Sequence, residues 1–390
     1  MSIRKRGDRN CEHGERALND RGLDDRGLND REAACGGGGG AGPPSPPLGF
    51  SNLALFSIDP ARCGGSDSAN FPVWIDTTDN HFKTVANGGL MQNASAFDAR
   101  PYALDLVTPL IFELEPGYSG SVGRLRMHVN LPSVSHSVTT QFYMAFGNIG
   151  LNSDGSLATT WNTNFTHVYH LGNGTTLNLK NSAQGSLGNA NNTNGVTAAA
   201  GQVNGCGSFV AASSQFLDSG NDAWPNGQIA GSVSMWIKAT SFPAAYTCPG
   251  GTNAGTGNTY FIILAKSTGK LFGGVTATGG AVIYDGTGLN TLVAGTWYHL
   301  ALTYDSTTGL NGYVNGVLDK NVAPNGNLSI TSPGGSQDQY LGNDPINAGR
   351  FWNGLIDEFR ASKVVRSADW WVKQFNNQNS PSTFYSVTFY

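Results

Sequence analysis

The stretch Leu310-Asn-Gly-Tyr-Val-Asn-Gly-Val-Leu318 leaves few folds open to this chain. Asn315-Gly316 separates Tyr313-Val314 from Val317-Leu318, and a two-residue type I′ turn needs positive φ at both central positions. Gly has no Cβ to clash there, and Asn tolerates the region. The dipeptide therefore predicts a tight hairpin. Upstream, Trp297-Tyr-His-Leu-Ala-Leu-Thr-Tyr304 alternates large apolar side chains with small or polar ones, the period of a strand with one buried face. Asp305-Ser-Thr-Thr-Gly309 supplies turn chemistry between the two. Gln339-Tyr-Leu-Gly342 and Phe351-Trp-Asn-Gly-Leu-Ile-Asp-Glu-Phe-Arg360 complete a set that reads as the end of a β-sandwich.

Similar short runs, bounded by Gly, Pro or Asn, begin at Gly49. They include Phe71-Pro-Val-Trp-Ile-Asp76, Leu110-Ile-Phe-Glu-Leu-Glu115, Val122-Gly-Arg-Leu-Arg-Met-His-Val129, Thr139-Thr-Gln-Phe-Tyr-Met-Ala-Phe-Gly-Asn148 and Gly231-Ser-Val-Ser-Met-Trp-Ile-Lys238. Past residue 35 charged side chains thin out in favour of Gly, Asn, Ser and Thr. Many short strands in such a composition predict an all-β protein, extracellular or at the cell surface. A net charge of −4 without a basic stripe or tail argues against nucleic acid or an anionic membrane as the main partner. No window approaches the 18 apolar residues of a membrane span. Trp370, Trp371, Val372 and Phe375 predict a short helix or turn pair, and Phe384-Tyr-Ser-Val-Thr-Phe-Tyr390 a closing strand. Such strands usually pair within their own sheet; one left at an edge offers a template for self-association.

The first residues are different material. Arg16-Ala-Leu-Asn-Asp, Arg21-Gly-Leu-Asp-Asp and Arg26-Gly-Leu-Asn-Asp repeat one pentapeptide, a spacing that lines up no face of a helix or strand. Disorder is expected, with a frayed helix as the alternative. Glu32-Ala-Ala-Cys35 then meets a glycine run and Pro-Pro-Ser-Pro-Pro47, so residues 1–48 read as a charged repeat and a tether.

The ordered motifs Trp297-Tyr-His-Leu, Tyr304-Asp305, Tyr313-Val-Asn-Gly316, Tyr340-Leu-Gly-Asn343 and Gly354-Leu-Ile-Asp-Glu-Phe-Arg360 resemble the laminin-G-like, concanavalin-A-like jelly roll of bacterial surface proteins. The runs from Phe71 to Leu171 resemble a small bacterial β-domain of unknown function that commonly precedes it, although Asp98-Ala-Arg-Pro101 departs from that pattern. Together the likenesses imply two abutting β-sandwich domains, 49–168 and 169–390, the second a jelly roll. Ala-Ala-Cys35-Gly resembles a bacterial lipoprotein junction, which implies a lipid anchor on Cys35. Residues 16–34 lack the apolar segment such a signal needs, and the other reading is an accidental likeness.

The fold hosts lectins, adhesins, structural modules and glycosidases, so function has to come from residues. Sugars are held by aromatic faces and planar amides or carboxylates. Trp224, Tyr246, Trp352 and Asn353 are the candidates, with packing as the alternative for each aromatic. In the resembling sandwiches Ca²⁺ lies between a "DsSg" loop and the Asp of the last long strand, positions that fall here on Asn181 and Asp357. The alternative for Asp357 is acceptance of backbone N–H groups. Cys206 and Cys248 are candidates for a loop-stapling disulfide, against two free buried thiols. Related glucanases carry Glu-x-Asp-x-x-Glu on one strand, whereas this chain has Glu113-Leu-Glu115, in the other domain, and Asp357-Glu358, whose side chains oppose one another in a regular strand. His128, His136, His167, His170 and His299 show neither a triad partner nor a metal pattern. No catalytic residue is assigned. The expectation is a non-catalytic protein binding a polysaccharide, a glycoconjugate or other surface proteins; the alternatives are a subunit of an extracellular fibre and a polysaccharide-active enzyme.

Overall fold

The computed structural model describes residues 43–184, 188–219, 229–253, 259–265, 267–328, 339–345, 347 and 349–390. The elements below all lie in the unit Pro44–Tyr390. Among the described residues they form two β-sandwiches. In the first, a four-stranded sheet in the order Tyr385–Phe389, Asn52–Ile58, Thr140–Phe146, Arg100–Tyr102 faces a three-stranded sheet in the order Ser68–Thr78, Arg124–Val134, Ile111–Leu114. Alternation sends Phe56, Ile58, Phe142 and Met144 from one sheet, and Val73, Ile75, Met127 and Val129 from the other, into one core.

The second sandwich is larger. Its seven-stranded sheet runs Asn191–Thr193, Phe216–Asp218, Gln339–Leu341, Thr247–Asn253, Thr259–Ala265, Leu271–Ala277, Gly280–Asp285. The opposing sheet runs Thr197–Ala200, Gly205–Phe209, Gly354–Ser362, Gly231–Ala239, Trp297–Asp305, Gly309–Val314, Val317–Val322, and Phe165–Tyr169 also pairs with Gly354–Ser362. The expected hairpin is present. Val314 pairs with Val317, and Asn315 and Gly316 have φ of 52° and 78°, the backbone that selects this dipeptide.

This eight-stranded sheet is buried on both sides. Met235, Ile237, Leu300 and Ile356 face the core between the sheets. On the other side Trp236 packs with Trp74 and Val203, and Tyr313 and Ala301 join the core of the first sandwich through Trp370 and Trp371. Those two tryptophans belong to the helix Ala368–Asn379, whose first turn is capped by the Ser367 side chain accepting from the Trp370 N–H. Beyond the helix the chain crosses back. Tyr385–Phe389, placed by its sequence position with the later half, instead pairs with Asn52–Ile58 of the first sandwich, Ala54 opposite Phe389 and Ile58 opposite Tyr385. The reason is packing: Phe384 and Tyr385 are core residues of that sandwich.

Burial on both sides leaves His167 and His299 inside the protein, where burial pulls each down to about pKa 3. Both are neutral in the fold, and Gln374 Nε2 donates to His299 Nε2 at 3.0 Å. In the unfolded chain both titrate near 6.5. The folded values are depressed, so their contribution is fully present above about pH 6.5 and is lost as pH falls from there towards 3, each group steepening the loss by about 1.4 kcal/mol per pH unit. Urea midpoints measured from pH 7 to 4.5 should fall, and His299→Gln should lessen the slope by one proton. An unchanged slope in the variant would show that His299 is already charged in the fold.

Candidate functional site

Alternation along the seven-stranded sheet separates core from outer face. Leu217, Leu341 and Leu271 point inward, while their neighbours Phe216, Tyr340 and Phe272 are half-buried on the other side. Cross-strand partners share a face, so the register sets Asn191, Asp218, Tyr340 and Gly251 in one row on the outer face, and pairs Gly274 with Ile283 further along it. Gly251 beside Tyr340, and Gly274 further along, carry no side chain, and both are buried. The Phe216 ring lies 4.7 Å from that of Tyr340 and 6.4 Å from that of Phe351. Tyr246 meets Phe272 edge-on at 5.0 Å, and its face carries the Arg350 guanidinium at 5.3 Å. Arg350 is in turn held by Asp344 at 2.7 Å. Half-buried rings on a sheet face can take the C–H face of a flat polar ligand.

A second constellation is buried where the three-stranded sheet of the first sandwich meets the second sandwich. Glu113 and His128 are directly opposed across the Ile111–Leu114 and Arg124–Val134 strands and share a face. Glu115, two residues on, continues it. His170 follows the strand Phe165–Tyr169, and Glu358 comes from Gly354–Ser362 at an irregularity in its pairing with Gly231–Ala239. Glu358 has φ of 50°. This β-bulge breaks the alternation, so that Ile356, Phe359 and Ala361 point into the core while Glu358 and Arg360 point at the first sandwich. The expectation that Asp357 and Glu358 oppose one another assumed an unbroken strand.

His170 is the hub. Its Nδ1–H donates to Glu358 Oε1 at 2.5 Å, and its Nε2 lies 3.3 Å from Glu113 Oε2 and 3.4 Å from Glu115 Oε1. Arg360 clamps Glu358 Oε2 through Nε, at 3.0 Å, and Nη2, with its guanidinium over the Trp161 ring at 4.7 Å. Trp161 Nε1–H and Ser182 Oγ–H donate to Glu113. The rings of His128 and His170 stack with centroids 4.8 Å apart, and His128 Nε2 stands 3.9 Å from both Glu115 Oε1 and Glu358 Oε1. Burial would raise all three glutamates. For Glu358 the charges of His170 and Arg360 overcome it and hold the carboxyl well below the usual range. Hydrogen bonding and charge from His170 likewise hold Glu113 at about 2. Glu115 lacks comparable compensation: burial pushes it up to about 7, the His170 charge opposes, and Glu113 and Glu358 add to the rise. Burial acts to lower His170, but Glu115 and Glu358 lift it well above its ordinary value. His128 is driven well below by burial.

Of the residues singled out from sequence, Trp352 is a core residue, fully buried, with Nε1 donating to Leu355 O at 3.3 Å, and cannot contact a ligand. Its position just ahead of a strand hides which way it points. Tyr246 lies on the outer side in the Arg350 contact, and Asn353 Oδ1 accepts from the Ala211 N–H at 3.5 Å. Trp224 and Cys35 lie outside the described residues. Cys206 and Cys248 are free buried thiols; they sit on opposite sheets of the sandwich, Gly205–Phe209 and Thr247–Asn253, so the disulfide is not formed. Asn181 Oδ1 accepts from the Val168 and Ala183 N–H groups, both at 3.0 Å, and its Nδ2 donates to Thr166 O. Asp357 Oδ2 accepts from the Val203 N–H at 2.8 Å, with burial raising its pKa far above the carboxylate range. The outward ring pair Phe216 and Tyr340 has a signal in the sequence, alternation with the inward Leu217 and Leu341. A hairpin reading of 110–129 would have set Glu113 opposite His128.

Residues 210–370 match the family model described as the concanavalin A-like lectin/glucanases superfamily. No curated protein matches the chain. Among solved structures it is similar to domain 4 of AbnA, a GH43 extracellular arabinanase from Geobacillus stearothermophilus, in complex with arabinotriose. That likeness has 19% identity over 54% of this chain and 97% of that one, with a TM-score of 0.40. The binding domain of Paraclostridial Mosquitocidal Protein 1 is similar at 15% identity over 55% of this chain and 52% of that one, TM-score 0.41. A heptameric SAP-like pentraxin from Limulus polyphemus follows at 17% identity over 37% and 69%, TM-score 0.29. With the sheets already described, the family match makes residues 210–370 a concanavalin A-like domain within an all-β chain.

Proposed function

We propose that this protein is a non-catalytic, extracellular carbohydrate-binding protein whose ligand lies on the outer face of the seven-stranded sheet. The observation that carries the reading is the half-buried ring cluster Phe216, Tyr340 and Phe351 on that face. Aromatic rings already packed against one another lose little freedom when a sugar stacks on them, and Asp218, next to Tyr340 in the row, supplies an oxygen for hydroxyl groups. The family match to lectins and glucanases supports the same class of ligand. A polysaccharide, a glycoconjugate or a glycosylated surface protein would each present that chemistry.

The test is retardation of the full chain in native gels containing soluble arabinan, xylan, β-glucan or galactomannan. At least one should retard it, and Tyr340→Ala and Phe216→Ala should each weaken that retention about tenfold or more, the scale of losing one buried stacking contact. Retention left intact in both variants would move the site elsewhere. Absence of retention on every polysaccharide, together with concentration-dependent fibres, would favour a structural subunit instead; the strand Tyr385–Phe389, at the end of its sheet, is the feature suited to that role.

A further inference from the structure

The junction between the two sandwiches holds a donor set that carbohydrate binding does not use. We infer that Glu115, His128 and His170 form a site for a divalent first-row transition metal of the zinc class, with Glu358 as the residue that positions His170. One donor atom from each of Glu115, His128 and His170 lies within 4.8 Å of the other two. The carboxylate oxygen stands 3.4 Å from His170 Nε2 and 3.9 Å from His128 Nε2. Donors at zinc distance around one ion are roughly 3.4 Å apart, so a modest contraction completes the set.

Two independent observations point to a ligand. His128 is fully buried, yet neither of its ring nitrogens has a hydrogen-bond partner. An orphaned buried imidazole is costly, and coordination through Nε2 would satisfy the nitrogen that faces Glu115. His170, for its part, has the outer-shell arrangement of a metal-ligating histidine. Its Nδ1–H is given to Glu358, which Arg360 clamps from the far side, and its Nε2 faces Glu113 at 3.3 Å and Glu115 at 3.4 Å, so that a bound ion takes the place of the Nε2 proton shared with them.

Donor chemistry selects the ion. Two imidazoles with one carboxylate suit zinc and its first-row neighbours, whereas calcium and magnesium take oxygen ligands. The site is separate from Asn181 and Asp357. Glu115 also lines an open groove of about 290 Å³ with Phe97, Tyr118 and Asp154, which gives an ion a way in. Glu113, engaged by Trp161 and Ser182, orients rather than ligates.

The experiment uses the full chain freed of metal with a chelator. Titrating CoCl₂ should produce visible d–d absorption saturating at one equivalent, and ZnCl₂ should raise the thermal midpoint by about 3 °C or more. His128→Gln and Glu115→Gln should each weaken cobalt binding at least tenfold, Glu358→Gln should weaken it about tenfold with the stoichiometry kept, and the exposed His136→Gln should leave it unchanged. X-ray absorption of the zinc-loaded wild type decides the matter if a variant fails to fold: two imidazoles and no sulfur support the site. Sulfur scattering, the absence of both the cobalt bands and the zinc shift, or a folded His128→Gln that binds cobalt as tightly as the wild type would overturn it.

Discussion

A chain ended at Ser367 is expected to lose the cooperative fold of its first sandwich. The missing residues lie last in sequence, but they supply Trp370, Trp371, Phe384 and Tyr385 to that core. At about 1.5–3 kcal/mol for each large apolar side chain buried, the four together approach the whole net stability of a domain, about 5–15 kcal/mol. Their polar contacts matter as much. Ser68–Thr78 is an edge strand, and two side chains satisfy its backbone: the Asn377 amide accepts from the Trp74 N–H at 2.7 Å and donates to Trp74 O at 2.9 Å. The Tyr385 hydroxyl does the same for Asp76, at 2.9 and 3.1 Å. Truncation would strip both partners and expose a second edge at Asn52–Ile58, so aggregation should accompany unfolding. Far-UV circular dichroism and limited proteolysis of the truncated chain check this. Asn377→Ala alone should cost about 1–3 kcal/mol in urea unfolding, the penalty for orphaning buried backbone groups. A truncated chain that melts cooperatively at the wild-type midpoint would refute the account.

That dependence marks where sequence reading stops. Alternation and turn chemistry are local, so Asn315-Gly316 shows its hairpin, and Trp297 to Tyr304 its strand, without reference to the rest of the chain. Which sheet a strand joins depends on partners hundreds of residues away, and nothing within Phe384 to Tyr390 names Asn52–Ile58 as its neighbour. The buried polar cluster escapes for a related reason. Glu113 and His170 are |i−j| = 57 apart and His170 and Glu358 are 188 apart, and Glu358 reaches the cluster only because a bulge interrupts a strand whose sequence looks regular. Trp352 shows the converse limit. A tryptophan beside an Asn near a strand end has the composition of a sugar-binding position, and only the tertiary packing that sets it in the core between the sheets, with Phe242 against it at 6.5 Å between ring centroids, shows otherwise.

The two constellations differ in what they demand of the scaffold. The ring cluster on the outer face rests on one sheet whose inner side is an ordinary apolar core, so substitutions there should alter affinity with little effect on folding. The histidine and glutamate cluster sits instead at the only approach between the sandwiches that collects several buried carboxylates among the described residues, so its charge balance and the joining of the two halves are one problem.

Replacing Arg360 with Met is expected to expose that problem most sharply. Arg360 is buried and contacts Glu358 through two nitrogens while lying over Trp161. Methionine keeps much of the aliphatic volume and removes the charge, which leaves Glu358 in low dielectric with Glu113 and Glu115 nearby. Breaking a buried pair from one side costs about 3–5 kcal/mol, because the remaining ion is uncompensated. His170 cannot take over the role, since its two nitrogens already serve Glu358 on one side and Glu113 and Glu115 on the other. Lysine should rescue only in part, as one ammonium on a flexible stem cannot reproduce the planar two-nitrogen clamp or its stacking on the indole. The decisive comparison is a double-mutant cycle in urea. Arg360→Met with Glu358→Gln should be more stable than Arg360→Met alone, because the second change removes the stranded charge while its amide oxygen still accepts from His170. Two single losses that simply add would mean that the pair is uncoupled, and that Arg360 contributes through its packing on Trp161.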